Sequence, residues 1–574
     1  MKRNRTMDAY TRWLCRLWLL LSCWFAGTAH AAPGELRKLA HEYYVWRDAE
    51  YPVAASAMGD HRLDDRLTDY HMPAVLERRK RVSELLTTVS AMSTRNWSKD
   101  DRVDQLLFLS QLRAADFFGR QLDPERRDPQ LYVNECTNAL FTLLQKEYAP
   151  ALVRARAAHK RLSAMPALLR AARESLMQPV QLYARLAVQA ARGGDELYTR
   201  SLLPLIAALP AAERARFVAA RDAALAELHA FADWLEPRLQ HMPPWQPLGE
   251  AAYNALLKQI LYLPFDAAQL AQLGEIELAR YRGLEAMLKD PGLASPNPAR
   301  ATHVPRDQAE FLSAYESRQA EMITFLKAQR LVTLPAYLGP FQIRQLPEAF
   351  KPTYPGGFMN PPGLYDRDPG GFFYIPTYNP DSQNFYLRAA IEDPRPILGH
   401  EGIPGHFLQI SIANHLPNEI RRQHGDNVLI EGWALYGEEM LVRAGLYAEG
   451  SAGQAQVLRL SRYRSARIGV DVNLHTGRFS FERAVRYFME SGGLDREAAE
   501  GEAAGAATNP SQKICYITGK WQIMRLLGRY RDQQSDKFRL GAFHDQLLSY
   551  GSLPLSLIEW LMFDDDSTLQ QALQ

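Results

Sequence analysis

From Pro33 to about Arg300 one pattern governs the sequence: apolar residues recur three and four positions apart, with Arg and Glu between them. Side chains at that spacing share one face of an α-helix. The pattern therefore predicts amphipathic helices, most clearly over Pro73–Val89 and Ala211–Leu235. Pro166, Pro179, Pro204, Pro210 and the pair Pro243-Pro244 are expected to cut the run into hairpin-sized pieces. No repeat of fixed period is present, which argues against a solenoid. Between Phe350 and Pro396 the composition changes, with breakers at Pro355-Gly356-Gly357, Asn360-Pro361-Pro362-Gly363, Pro369-Gly370-Gly371 and Asn379-Pro380. Among them, Gly371–Pro376 reads as a short aromatic strand, and its proline suits a sheet edge. Helical patterning returns from Gly399 to the end. The expected fold is mainly α, with a helical scaffold over residues 32–250 and a second helical region over 251–574.

The first 31 residues differ in kind. Lys2, Arg3, Arg5, Arg12 and Arg16 precede an apolar run, Leu17–Ala26, broken only by Ser22, and Ala29-His30-Ala31 offers a cleavage point. That order predicts a secretory signal peptide, too short in its apolar part to span a bilayer, and so an exported, periplasmic or secreted protein. Leu20-Leu21-Ser22-Cys23 loosely resembles a lipobox, which makes a lipid anchor at Cys23 the competing expectation. Five of the 67 basic and one of the 65 acidic residues lie before Ala32, so the remainder carries 62 against 64, a formal charge of −2. Such a balance predicts neither a nucleic-acid partner nor stable membrane insertion. Only Cys136 and Cys515 remain beyond the leader, enough for one disulfide at most, and no Cys-x-x-Cys pair suggests a cysteine-bound metal. Neither a G-x-S-x-G elbow nor a G-x-G-x-x-G or P-loop pattern is present.

His400, Glu401 and His406 place two imidazoles and a carboxylate within seven residues. Neutral imidazoles bind a borderline-soft cation such as Zn2+, and a neighbouring Glu takes a proton from water held there. Six residues along an ideal helix, however, put the second imidazole about 120° round from the first. Gly402, Pro404 and Gly405 answer that objection. Pro404 has no N–H for the carbonyl of His400, so the winding is expected to break and let both rings face one metal. A third ligand is required, and Glu431, 25 residues beyond His406, is the candidate. Glu438 lies two turns further along the same face, as a supporting or surface carboxylate.

The segments HEGIPGHFLQ (His400–Gln409) and EGWALYGE (Glu431–Glu438) resemble the two signatures of the bacterial domain of unknown function 885. Ala466–Arg483, Pro510–Gly519 and Phe543–Leu555 resemble three further blocks in the same order, so the resemblance covers about Tyr354 to Leu561. It implies a large helical metallopeptidase-like fold with a central cleft and a small β element near the active site, similar in plan to angiotensin-converting enzyme and thermostable carboxypeptidases. It also implies His400, His406 and Glu431 as zinc ligands and Glu401 as general base. Phe407 departs from the pattern, since many members carry a second His there.

Attack of water on a peptide carbonyl creates an oxyanion that needs a hydrogen-bond donor. Tyr516 is the first candidate and His475 the second, with Asp471, one turn before His475, expected to orient its ring. Arg464, Arg467 and Lys520 are candidates for gripping a substrate carboxylate. The strand Gly371–Pro376 is expected to pair with an extended peptide, with Phe372, Phe373 or Tyr374 lining side-chain pockets. The function expected is zinc-dependent hydrolysis of short peptides, as a dipeptidyl carboxypeptidase by analogy or as an oligopeptidase. The alternative is an exported helical protein that binds metal or peptide without turnover. Retention of Glu401 favours the enzyme.

Overall fold

The computed structural model describes residues 32–288, 304–346, 357–448 and 450–574. The expected leader, with Cys23, lies outside the described residues. The fold is mainly helical, with one small three-stranded sheet. Helices occupy Met72–Ser90 and Ala211–Leu235, where the apolar periodicity places them. Pro204 and Pro210 stand at helix starts, where a missing N–H costs nothing. Pro166 does not break its helix, which runs unbroken from Ala151 to Ser175. Leu162, Met165, Leu168 and Leu169 are buried around it, and that packing offsets the lost hydrogen bond.

The strands are β1 (Phe341–Gln345), β2 (Phe358–Asn360) and β3 (Gly371–Ile375), in the order β1-β3-β2. β3 pairs in parallel with β1 and antiparallel with β2, so it is the central strand and not the expected edge. Pro376 falls just beyond the ladder and removes no bond from it. With both sides occupied, β3 has no free backbone for a peptide. Tyr374 is buried, its ring packed on Phe358 and Phe372. Phe373 and Ile375 face the main apolar core, which draws residues from Leu36 to Ala572; Phe372 and Tyr374 face a second core built largely from Val53–Met242. Cys136 and Cys515 are both buried and unpaired, so the one possible disulfide is not formed.

Six helices build the site and are labelled here in chain order: α1 Arg395–Glu401, α2 His406–Asn414, α3 Asn427–Arg443, α4 Ala452–His475, α5 Arg496–Thr508 and α6 Cys515–Gln534. α3 and α6 cross where Gly432 meets Gly519. A Cβ on Gly519 would lie 2.7 Å from Gly432 Cα and would overlap the Val428 carbonyl oxygen. Gly519→Ala should therefore destabilise the fold by about 1–3 kcal/mol in urea unfolding, with a lower midpoint and an unchanged slope.

Asp426 caps α3, accepting from the Leu429 N–H at 2.7 Å. Burial pushes its carboxyl from 3.8 up to about 7, against the pull of the Leu429 and Val428 N–H groups. A carboxyl with a higher pKa folded than unfolded stabilises the fold when protonated. That contribution is complete below the unfolded value and is lost as pH rises through about 7. Asp426→Asn keeps the cap without the charge. Its Tm relative to wild type should rise between about pH 4 and pH 8; a gap independent of pH would refute the assignment.

Candidate metal centre

The winding does break between the two histidines. α1 ends at Glu401, Gly402 leaves the helical region (φ −100°, ψ −116°), and α2 begins at His406 after Gly405 (ψ −133°). A Cβ on Gly405 would overlap the carbonyl oxygen of His400, and one on Gly402 would lie 2.6 Å from the Phe341 ring. Only glycine fits at either place. Trp433 Nε1 donates to the Pro404 carbonyl at 2.8 Å and so ties the break to α3. The outcome is two imidazoles with ring centres 4.6 Å apart and planes at 78°.

Glu431, on the first turns of α3, completes the cluster. Its Oε2 lies 3.4 Å from His400 Nε2 and 3.3 Å from His406 Nε2, and one ligand atom from each residue falls within 4.8 Å of the others. A tetrahedral zinc with bonds of about 2.0–2.1 Å separates its ligand atoms by about 3.3 Å, which the two distances from Glu431 match. Glu431 Oε2 is buried, and its polar neighbours are the two imidazole nitrogens, so the carboxylate needs positive charge beside it. Two imidazoles and one carboxylate form the set of a catalytic zinc with one position open. The electrostatics agree. Burial would raise the Glu431 carboxyl, yet the charges of His406 and His400 hold it well below its ordinary value. Burial and Arg464 oppose charge on His400, but the acceptors Glu431 and Glu438 outweigh them and raise it to about 9. The pocket calls for positive charge beside Glu431, whether carried by a proton or by a metal.

Behind the cluster, His400 Nδ1–H donates to Glu438 Oε1 at 2.7 Å, which turns Nε2 toward the other two residues of the cluster. Glu438 is fully buried and held in turn by Arg464 of α4 at 2.9–3.0 Å. Tyr516, on the first turn of α6, donates to Glu431 Oε1 at 2.9 Å, and Gln512 Nε2 reaches its oxygen at 3.3 Å. Burial and the adjacent Glu431 push its ionisation upward, so it stays a phenol and a donor. Glu401 closes α1 next to His400 and is partly exposed.

A family profile described as "Bacterial protein of unknown function (DUF885)" matches residues 52–562. The chain belongs to this family. Two solved structures share the fold along nearly the whole chain. One is titled as that of a "putative lipoprotein of unknown function" from Shewanella oneidensis, at 23% identity and TM-score 0.73, covering 93% of this chain and 100% of the other. The second is a "putative lipoprotein" from Colwellia psychrerythraea, at 17% identity and TM-score 0.76, covering 95% of this chain and 100% of the other. No curated protein matches.

Within this family fold, other expected site residues take different places. His475 is buried between Trp245 and Tyr253, with Nε2 on the Ala506 carbonyl at 2.9 Å, away from the His400, His406 and Glu431 cluster. Asp471 does not hydrogen-bond it. The Asp471 carboxylate is taken by the Tyr253 hydroxyl and by the Ser511 and Lys513 N–H groups, so it anchors the segment leading into α6. Arg464 belongs to Glu438, and Arg467 grips Glu502 with two bonds at 2.8 and 3.0 Å. Lys520 is enclosed by Glu277, Glu439 and Tyr281. None of the three presents an unpaired charge to a substrate carboxylate. Glu502 and Trp433 carry weight that the sequence did not signal. Glu502 sits in an alanine-rich helix, and nothing in that stretch names its partner.

Glu438→Gln keeps the shape but weakens the grip on His400. Should the cluster take up zinc, its affinity in chelator competition is expected to fall about 10- to 100-fold. Unchanged affinity would remove Glu438 from the site.

Proposed function

We propose that this chain is a zinc metallopeptidase that hydrolyses peptide bonds in short peptides. The observation that carries the reading is the convergence of His400 Nε2 and His406 Nε2 on the buried Glu431 Oε2, at 3.4 and 3.3 Å. When bound, zinc supplies Lewis acidity and makes water a nucleophile near neutral pH. Glu401, adjacent to the first ligand, takes the proton of the attacking water and returns it to the leaving amine. Tyr516 turns its hydroxyl from Glu431 Oε1 toward the oxyanion that forms on the peptide carbonyl. Glu438 fixes the tautomer and direction of His400.

Because Arg464, Arg467 and Lys520 are all paired, grip on a C-terminal carboxylate loses its candidates, and cleavage within an oligopeptide is favoured over dipeptide release. We further propose that the chain is exported and associated with the cell envelope. Its basic leader with an apolar run supports this, as do the descriptions of both structural neighbours as lipoproteins, which add weight to an anchor at Cys23.

Glu401→Gln should retain one zinc per chain and lose about 100- to 10,000-fold in kcat on a peptide library read by mass spectrometry. Chelation should abolish cleavage and zinc should restore it. Undiminished turnover in the variant, or after complete metal removal, would leave the non-catalytic binder as the better reading.

A further inference from the structure

Tyr516 faces a problem that its hydrogen bonds do not solve. Its hydroxyl binds Glu431 Oε1 in the structure, but serving an oxyanion requires it to let go. Gln512 is then the remaining hydroxyl partner, at 3.3 Å. What holds the phenol in place through that exchange has to hold its ring.

The ring lies among three groups. His400 stacks parallel to it, 6.1 Å between centres at 12°. Arg464 Cζ is 5.6 Å from the ring centre, and Arg467 Cζ is closer, at 4.5 Å. Arg464 is bound to Glu438 and acts on His400. Arg467 touches no metal ligand; its guanidinium faces Tyr516 and also Tyr463, at 4.4 Å. Its direction is fixed from behind. Glu502 of α5 takes Arg467 Nε at 3.0 Å and a terminal nitrogen at 2.8 Å, a two-point grip that sets the plane of the guanidinium. Glu502 is itself held by the Tyr386 hydroxyl at 2.9 Å and Lys513 Nζ at 2.9 Å, and Tyr386 bonds Tyr463 at 2.8 Å. Arg467, Glu502 and Tyr463 are all buried.

A buried ion pair is an expensive way to fill a core, since apolar side chains of equal volume often stabilise as well or better. Such a pair does supply a cation of fixed orientation against an aromatic face, an attraction strengthened where water is excluded. We infer that Arg467, locked by Glu502, is a positioning residue that holds the Tyr516 ring so that its hydroxyl can pass from Glu431 to the substrate oxygen. The inference rests on the zinc-peptidase reading for its chemistry but not for its geometry.

The test is a double-mutant cycle on the full chain, using Arg467→Lys, Tyr516→Phe and the pair together. Arg467→Lys keeps the buried charge and loses the fork. Each single variant should lose about 10- to 100-fold in kcat, with KM and zinc content unchanged, and the double should be no slower than Tyr516→Phe. A second readout avoids turnover altogether. In cobalt-substituted protein, the visible absorption bands should shift in Arg467→Lys as in Tyr516→Phe, with no further shift in the double, because Tyr516 touches the ligand carboxylate. Losses that add, or a fully active Arg467→Lys with wild-type bands, would overturn the positioning role. A wild type that takes up cobalt yet cleaves no peptide removes the peptidase reading and leaves the spectral cycle to decide this one. A wild type that binds neither zinc nor cobalt overturns both. If Arg467→Lys does not fold, Glu502→Gln enters the same cycle with the same expected outcome.

Discussion

Backbone contact between α3 and α6 at Gly432 and Gly519 sets the dimensions of everything around it. Helices packed through ordinary side chains stand about 8–10 Å apart, and at that distance neither could share a small polar site. Here Glu431 immediately precedes the contact on one helix, and Tyr516 lies one turn before it on the other. The 2.9 Å bond between them follows from the missing methyl groups. The same logic operates at Gly405, where absence of a Cβ lets the chain fold back on His400. Two close approaches thus bring His400, His406 and Glu431 together.

Around that point, charges alternate outward. Glu431 calls for a cation, and His400 passes its other nitrogen to Glu438, which is met by Arg464. A parallel chain runs from Tyr516 to Arg467, Glu502 and Lys513. Burying such groups singly would cost several kcal/mol each, whereas the Glu438–Arg464 and Arg467–Glu502 pairs offset that cost for one another. α4 supplies both arginines at positions three apart, so a single helix orients the ligand and the phenol together.

Much of this was legible beforehand, and the gaps have physical causes. Local rules worked where the deciding contact was local: apolar spacing marked the helix Ala211–Leu235, and Gly402, Pro404 and Gly405 marked the break. They faltered where a distant partner intervened. β3 looked like an edge because a proline ends it, while its parallel neighbour β1 lies some thirty residues upstream. Asp471 and His475 share a helix face, but Tyr253, more than two hundred residues earlier, takes the carboxylate. Arg467 looked available because nothing in its own segment shows Glu502. Spacing finds a candidate His-His-Glu cluster more readily than the residues that hold it in place.

The main apolar core joins Leu36 to Ala572, and polar ties repeat the closure: Lys99 meets Asp564, and Arg421 meets Asp104. Contacts between chain ends are slow to form, because a long loop has to close before any of them can stabilise it. His400, His406 and Glu431 all precede residue 432, yet α6, which brings Tyr516 against Glu431, comes only near the C-terminus. A nascent chain holding His400, His406 and Glu431 therefore lacks the walls that would make them a cage. The cluster of His400, His406 and Glu431 is complete only once the C-terminal helices have packed around it.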